Sequence, residues 1–273
     1  MKIPDAAGDF MYAGERLSDY QMLLCRFGSS SGETVSAGSN MNFNMVRPAG
    51  SDRFFLTGTT YEDTLTATFQ ICKNPCTASD SILKPEELSR LLRWLGRKDG
   101  YHKLKLYQKD YEDICFYGSF HDIREIKAGG SVYGLELTFL SDSPYGYLDT
   151  ITLDFSTTDS SGYDIINFSH ETGHLYPSVF TCKCLADGDL QITNSIENRI
   201  TEIKNCIKDE IITLDGTHKV IDSSVKTHRL YNDFNYNYFR LGNTYHKNIN
   251  TITTSVPCEI HIEYNPIRKA GLG

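Results

Sequence analysis

Long apolar runs are missing from this sequence. No stretch approaches the roughly 18 consecutive apolar residues that mark a membrane span. The opening residues Met1, Lys2, Ile3, Pro4 and Asp5 turn polar at once instead of starting the apolar segment of a secretion signal. The expectation is a soluble chain made in the cytoplasm, with no membrane partner. Positive charge is also in short supply: 27 Lys and Arg stand against 35 Asp and Glu, a net charge of −8. Nucleic-acid binders neutralise phosphates with a basic stripe. The densest basic stretch, Arg90 to Lys105, contains Asp99 and reads as the polar face and end of a helix. Sequence-specific nucleic-acid binding is therefore not expected. No glycine-rich phosphate loop joins a strand to a helix, no Gly-x-Ser-x-Gly elbow occurs, and no repeat or heptad run appears. Tryptophan occurs once, as Trp94.

Cysteine is not scarce. An even set of eight (Cys25, Cys72, Cys76, Cys115, Cys182, Cys184, Cys206 and Cys258) invites a disulfide framework. Without a secretion signal the reduced state is expected instead. Cys72 and Cys76, and Cys182 and Cys184, lack a second pair at zinc-knuckle spacing. Cys182 and Cys184 share one strand face with Phe180, which predicts core packing.

With 40% hydrophobic and 23% charged residues, there is material for a substantial core. The 17 Tyr and 14 Phe favour strands. One helix is predicted near 85–97. Pro85 suits its first position, Glu86 and Glu87 complement the helix dipole, and Leu88, Leu91, Leu92 and Leu95 form one apolar face. Gly96 or Gly100 can end it. Elsewhere the period is that of strands: Leu65, Ala67, Phe69 and Ile71 alternate, as do Tyr133, Leu135, Leu137 and Phe139. Val179 to Leu185, Ile200 to Ile203, Ile211 to Leu214 and Glu259 to Tyr264 read as further strands. Asp99-Gly100, Gly129-Gly130, Asp187-Gly188 and Asp215-Gly216 read as turns. Segments 28–40 and 156–164 read as loops. Ser141-Asp142-Ser143-Pro144-Tyr145-Gly146 breaks the pattern and predicts two domains, 1–147 and 148–273. The fold class expected is mainly β, with β-sandwich domains and one prominent helix.

His170-Glu171-Thr172-Gly173-His174 matches the zinc-peptidase pattern H-E-x-x-H, in which two histidines one helical turn apart bind the metal and the glutamate acts as base. A helix is needed, and Gly173 and Pro177 oppose one. The positions where a third histidine would extend the motif hold Pro177 and Phe180. An exposed loop leading into a strand is the expectation. The aromatic run Tyr231, Phe234, Tyr236, Tyr238 and Phe239 could stack sugars, but strand alternation with a turn at Asn232-Asp233 accounts for it. No catalytic, cofactor-binding or metal-binding residue is predicted, and no enzyme. A zinc metallopeptidase and a carbohydrate-binding module are the alternatives.

Four segments resemble the distal tail proteins of long-tailed phages, mainly those of Gram-positive hosts. Asp9-Phe10-Met11-Tyr12-Ala13-Gly14 followed by Ser18-Asp19-Tyr20-Gln21-Met22-Leu23-Leu24 is similar to the family's opening strand, turn and second strand. Leu88 to Leu106 resembles its helix and turn into a strand. Leu137-Thr138-Phe139 through Ser143-Pro144-Tyr145-Gly146 resembles its closing strand and interdomain segment. The fourth segment comprises Ile221 to Ser224, Tyr231 to Asn235, Phe239-Arg240-Leu241 and Ile260 to Tyr264 with Arg268-Lys269. The resemblance implies an N-terminal ring-forming β domain and a C-terminal galectin-like β-sandwich. It implies a hexameric ring in the virion tail tip, assembled in the host bacterial cytoplasm, that joins the tail tube protein to tail-tip and receptor-binding proteins and lets DNA pass. The family's larger members carry inserted carbohydrate-binding modules, for which this chain has no room.

Overall fold

A computed structural model describes residues 8–27, 40–61, 63–107, 111, 113–158 and 162–271. The chain divides into two compact units. One ends at Tyr147 and is rejoined from Lys269 onward; the other spans Leu148–Arg268. The residues after Arg268 thus return to the first unit, whereas the expected second domain ran on to 273.

In the first unit, seven antiparallel strands lie in the order Glu15–Arg16, Phe10–Tyr12, His102–Leu106, Ile114–Ala128, Ser131–Ser141, Thr66–Lys73 and Met22–Leu24. The hairpin between Ala128 and Ser131 turns through Gly129 and Gly130, both at positive φ (57° and 81°). Two such residues in succession make the turn whose twist matches that of the flanking strands. Alternation drives the burial: Leu135, Leu137 and Phe139 are fully buried, and Ala67 and Ile71 face the same core.

The helix Pro85–Leu95 supplies the other side of this core. Glu87 Oε2 accepts the Lys84 N–H at 2.8 Å, satisfying one orphan donor at the helix start. Gly96 ends the helix two residues before the expected limit, its N–H on the Leu92 carbonyl. The buried face is also rotated from the leucine stripe. Leu91, Trp94 and Leu95 are buried while Leu92 is 41% exposed. Trp94 decides this rotation: its indole N–H donates to the Tyr12 carbonyl at 3.0 Å, and its ring stacks on Tyr20 at 4.5 Å and on Phe10 at 5.8 Å.

The second unit is a β-sandwich. One sheet runs Ile151–Thr157, Cys258–Tyr264, Val179–Cys184, Ile211–Asp215, Val220–Ser223; the other runs Tyr163–Ile166, Ile249–Thr254, Gly188–Asn194, Glu197–Cys206. Phe180, Ile260, Ile262 and Leu214 of the first sheet share a core with Ile165, Leu190, Ile192, Ile203 and Ile252 of the second. Strand residues 156–157 and 163–164 correct the expected loop 156–164, because Ile151–Thr157 and Tyr163–Ile166 find partners far along the chain. Its centre, 159–161, lies outside the described residues, as does nearly all of the expected loop 28–40.

Candidate assembly surface

Met41–Val46 and Phe55–Tyr61 pair with each other and, among the described residues, with no other strand. Sequence explains the hairpin: Met41-Asn42-Phe43-Asn44-Met45 alternates apolar and polar side chains. The turn follows at Pro48-Ala49-Gly50-Ser51, where the Ser51 N–H returns to the Pro48 carbonyl and Gly50 sits at φ +80°, the conformation a type II turn requires. Arg47 bridges to Asp52 at 2.8 Å and donates to the Ser51 carbonyl.

Register sets the faces. Phe43 lies opposite Thr59 and Met41 opposite Tyr61; a bulge after Asn44 then places Met45 opposite Leu56. One face therefore carries Met41, Phe43, Met45, Leu56 and Tyr61. Met41, Phe43, Met45, Val46, Phe54, Phe55 and Leu56 are each more than half exposed. An isolated two-stranded hairpin is marginal in water at best, and a contiguous apolar patch is the mark of an interaction surface. The alternation over 41–45 is the one signal of this hairpin that the sequence carries. What no pattern could show is that, among the described residues, Met41, Phe43, Met45 and Leu56 stay exposed and join neither core.

The H-E-x-x-H segment is not helical. His170, Glu171 and Thr172 form a bend, and Gly173–Leu175 is a strand paired with Leu241–Asn243. Gly173 has φ +113°, which a helix does not permit. The Asn243 side chain pins the bend by donating to the Ser169 and Glu171 carbonyls, each at 2.7 Å. His174 packs edge-on against Tyr176, and burial followed by the Arg240 charge pushes its imidazole pKa down.

The aromatic run corrects another expectation. The expected turn at Asn232-Asp233 falls within the helical turn Leu230–Asp233, but residues 235–240 form no strand. Phe234, Tyr238 and Phe239 are buried in the sandwich core, leaving Tyr231 and Tyr236 exposed, with the Tyr236 hydroxyl on the Tyr231 carbonyl. Cys182 and Cys184 are buried beside Phe180, and their thiols lie near Cys258. A second buried group, Cys206, Glu210 and His228, adjoins them. None of the eight cysteines is in a disulfide.

These two β units, one of them a sandwich and the other bearing an exposed apolar hairpin, have the fold of a phage tail hub protein. The chain is similar over 95% of its length to 99% of the crystallised Dit protein of phage SPP1, described as a paradigm of the hub adsorption apparatus in phages infecting Gram-positive bacteria, with a TM-score of 0.62 and 14% identity. A chain of the phage p2 baseplate in its activated conformation with Ca aligns over 94% of this chain and 98% of its own, at TM-score 0.47 and 7% identity. No curated protein matches. Residues 6–143 match the model of the phage tail protein N-terminal domain and residues 145–264 that of the phage tail C-terminal domain, so this chain belongs to that phage tail family.

Proposed function

We propose that this chain is a non-enzymatic hub component of a phage tail tip, six copies of which close into a ring between the tail tube protein and the tail-tip and receptor-binding proteins, assembled in the host cytoplasm. The exposed apolar hairpin carries the reading. A closed ring needs a head-to-tail contact in which each copy offers a surface that the next one covers, and Met41, Phe43, Met45 and Leu56 are such a surface. The fold shared with the SPP1 hub protein supports it. The net charge of −8 suits a ring that lets DNA pass without retaining its phosphates.

Light scattering across a concentration series tests the ring. The expected mass is six times 30.9 kDa. Phe43→Asp and Leu56→Asp should each reduce it to a single chain while the far-UV circular dichroism stays the same. A hexamer that survives both substitutions would remove the hairpin from the interface. A wild-type chain that stays monomeric even when mixed with its tail-tube neighbour would end the ring reading.

A further inference from the structure

Four of the eight cysteines, Cys182, Cys184, Cys206 and Cys258, belong to the second unit, and the fold gathers all four in its core. Cys182 and Cys184 lie on the inward face of Val179–Cys184. Cys258 opens the neighbouring strand directly opposite Cys184. The Cys184 N–H donates to the Glu210 carbonyl on the strand's other side. Cys184 and Cys258 are thus a pair without mutual backbone hydrogen bonds, the kind whose side chains approach most closely. Cys206 arrives from the end of Glu197–Cys206 in the facing sheet. The sulfurs of Cys182, Cys184 and Cys258 lie within 4.8 Å of one another. Cys206 is buried in the same core. None of the four is more than 2% exposed.

We propose that Cys182, Cys184, Cys206 and Cys258 bind a structural zinc ion that ties the two sheets of the sandwich together. Buried cysteines usually act as small hydrophobes and need not meet, so three sulfurs within 4.8 Å of one another, with a fourth brought into the same core from the facing sheet, form a donor set. Four thiolates with no open position suit a closed tetrahedral site, which zinc fills without geometric preference of its own. Zinc–sulfur bonds of about 2.3 Å place the sulfurs about 3.8 Å apart, so the three mutually close sulfurs need to contract by only about an ångström. The thiol protons leave as the metal binds.

The adjacent group of Cys206, Glu210 and His228 is not the site, because its donors are spent within the protein. Both His228 nitrogens are engaged, Nδ1 with Glu210 at 2.6 Å and Nε2 with the Lys204 carbonyl at 2.9 Å. Glu210 additionally accepts from the Ser223 hydroxyl and from the Ile207 N–H.

The full chain, expressed with zinc in the medium and purified under a phosphine reductant, should contain about one zinc per chain by mass spectrometry of the metals. A mercurial should release it. Cobalt(II) added to the reduced, metal-free protein should give the intense near-ultraviolet band of thiolate-to-cobalt charge transfer, a readout on the wild-type chain that does not depend on a variant folding. Cys184→Ser and Cys206→Ser should lower zinc content at least about tenfold, whereas Cys76→Ser and His174→Ala should retain it. Three results would overturn the proposal: zinc below about a tenth per chain together with no cobalt band, iron with sulfide in place of zinc, or zinc that follows His174 instead of Cys184. None of these depends on whether the chain forms a ring.

Discussion

Trp94 shows how far one residue can reach. Its position on the predicted helix was legible, but its partners were not: the Tyr12 carbonyl lies 82 residues away in sequence. The leucine stripe therefore pointed to Leu92 as a core residue, and the indole turned the helix otherwise. Trp94→Ala should destabilise the first unit by about 3–5 kcal/mol, read as a fall in the urea midpoint by far-UV circular dichroism. Trp94→Phe keeps an aromatic ring but strands the Tyr12 carbonyl, and should cost about 1–3 kcal/mol. Glu87 has a pH signature. Burial pushes its carboxyl pKa up, but hydrogen bonds from Lys73 and the Lys84 N–H outweigh this, and the net shift is downward from 4.5. The nearly buried Lys73 ammonium lies 2.7 Å away. A carboxyl whose pKa is lower in the folded state stabilises that state above its unfolded pKa and loses this contribution as pH falls through the folded value. Urea midpoints followed by Trp94 fluorescence should therefore drop more steeply between about pH 5 and about pH 3 in the wild type than in Glu87→Gln. Equal slopes would remove Glu87 from the acid response.

At the scale of elements, periodicity carried most of the reading. The strands around Leu137, Phe180 and Ile262 followed from alternation, because one face of each is buried. The short strands of the second unit's margin did not, since Ile151–Thr157 and Gly173–Leu175 are defined by partners near residues 260 and 242 and by no strong pattern of their own. The H-E-x-x-H segment separates two structures by the sign of one substitution. In a zinc-binding helix, Gly173→Ala would stabilise by roughly 1 kcal/mol. At φ +113°, with no atom within 4 Å of a new Cβ, the same change strains only the backbone and should destabilise by about 1–3 kcal/mol. A thermal melt of the two proteins decides it. The hairpin Met41–Val46 and Phe55–Tyr61 makes the opposite kind of prediction. As a surface element, it should tolerate Phe43→Asp with a change in monomer stability within about 0.5 kcal/mol, while the same substitution should abolish the proposed ring.

For the whole molecule, composition and the absence of charge stripes bounded the class, and the order of weak motifs pointed to the family. Neither could reveal that four cysteines share one core. Cys182 and Cys184 are visible as one strand face, but Cys206 and Cys258 join them only through the pairing of strands and the facing of sheets. The two units can be watched separately because the only tryptophan is in the first. Stripping zinc with a chelator should lower the melting temperature of the second unit, seen in far-UV circular dichroism, and leave the Trp94 fluorescence transition where it was. A fluorescence transition that moves with zinc would mean the ion acts beyond the sandwich. The route of the chain through the two units has a further consequence for how the protein is made. The residues from Lys269 belong to the first unit, where Gly271 accepts a hydrogen bond from the Tyr111 hydroxyl, yet they leave the ribosome only after all of Leu148–Arg268. That closing contact spans 160 residues of sequence, so the first unit is completed only by a chain that has left it, run through the whole sandwich and come back.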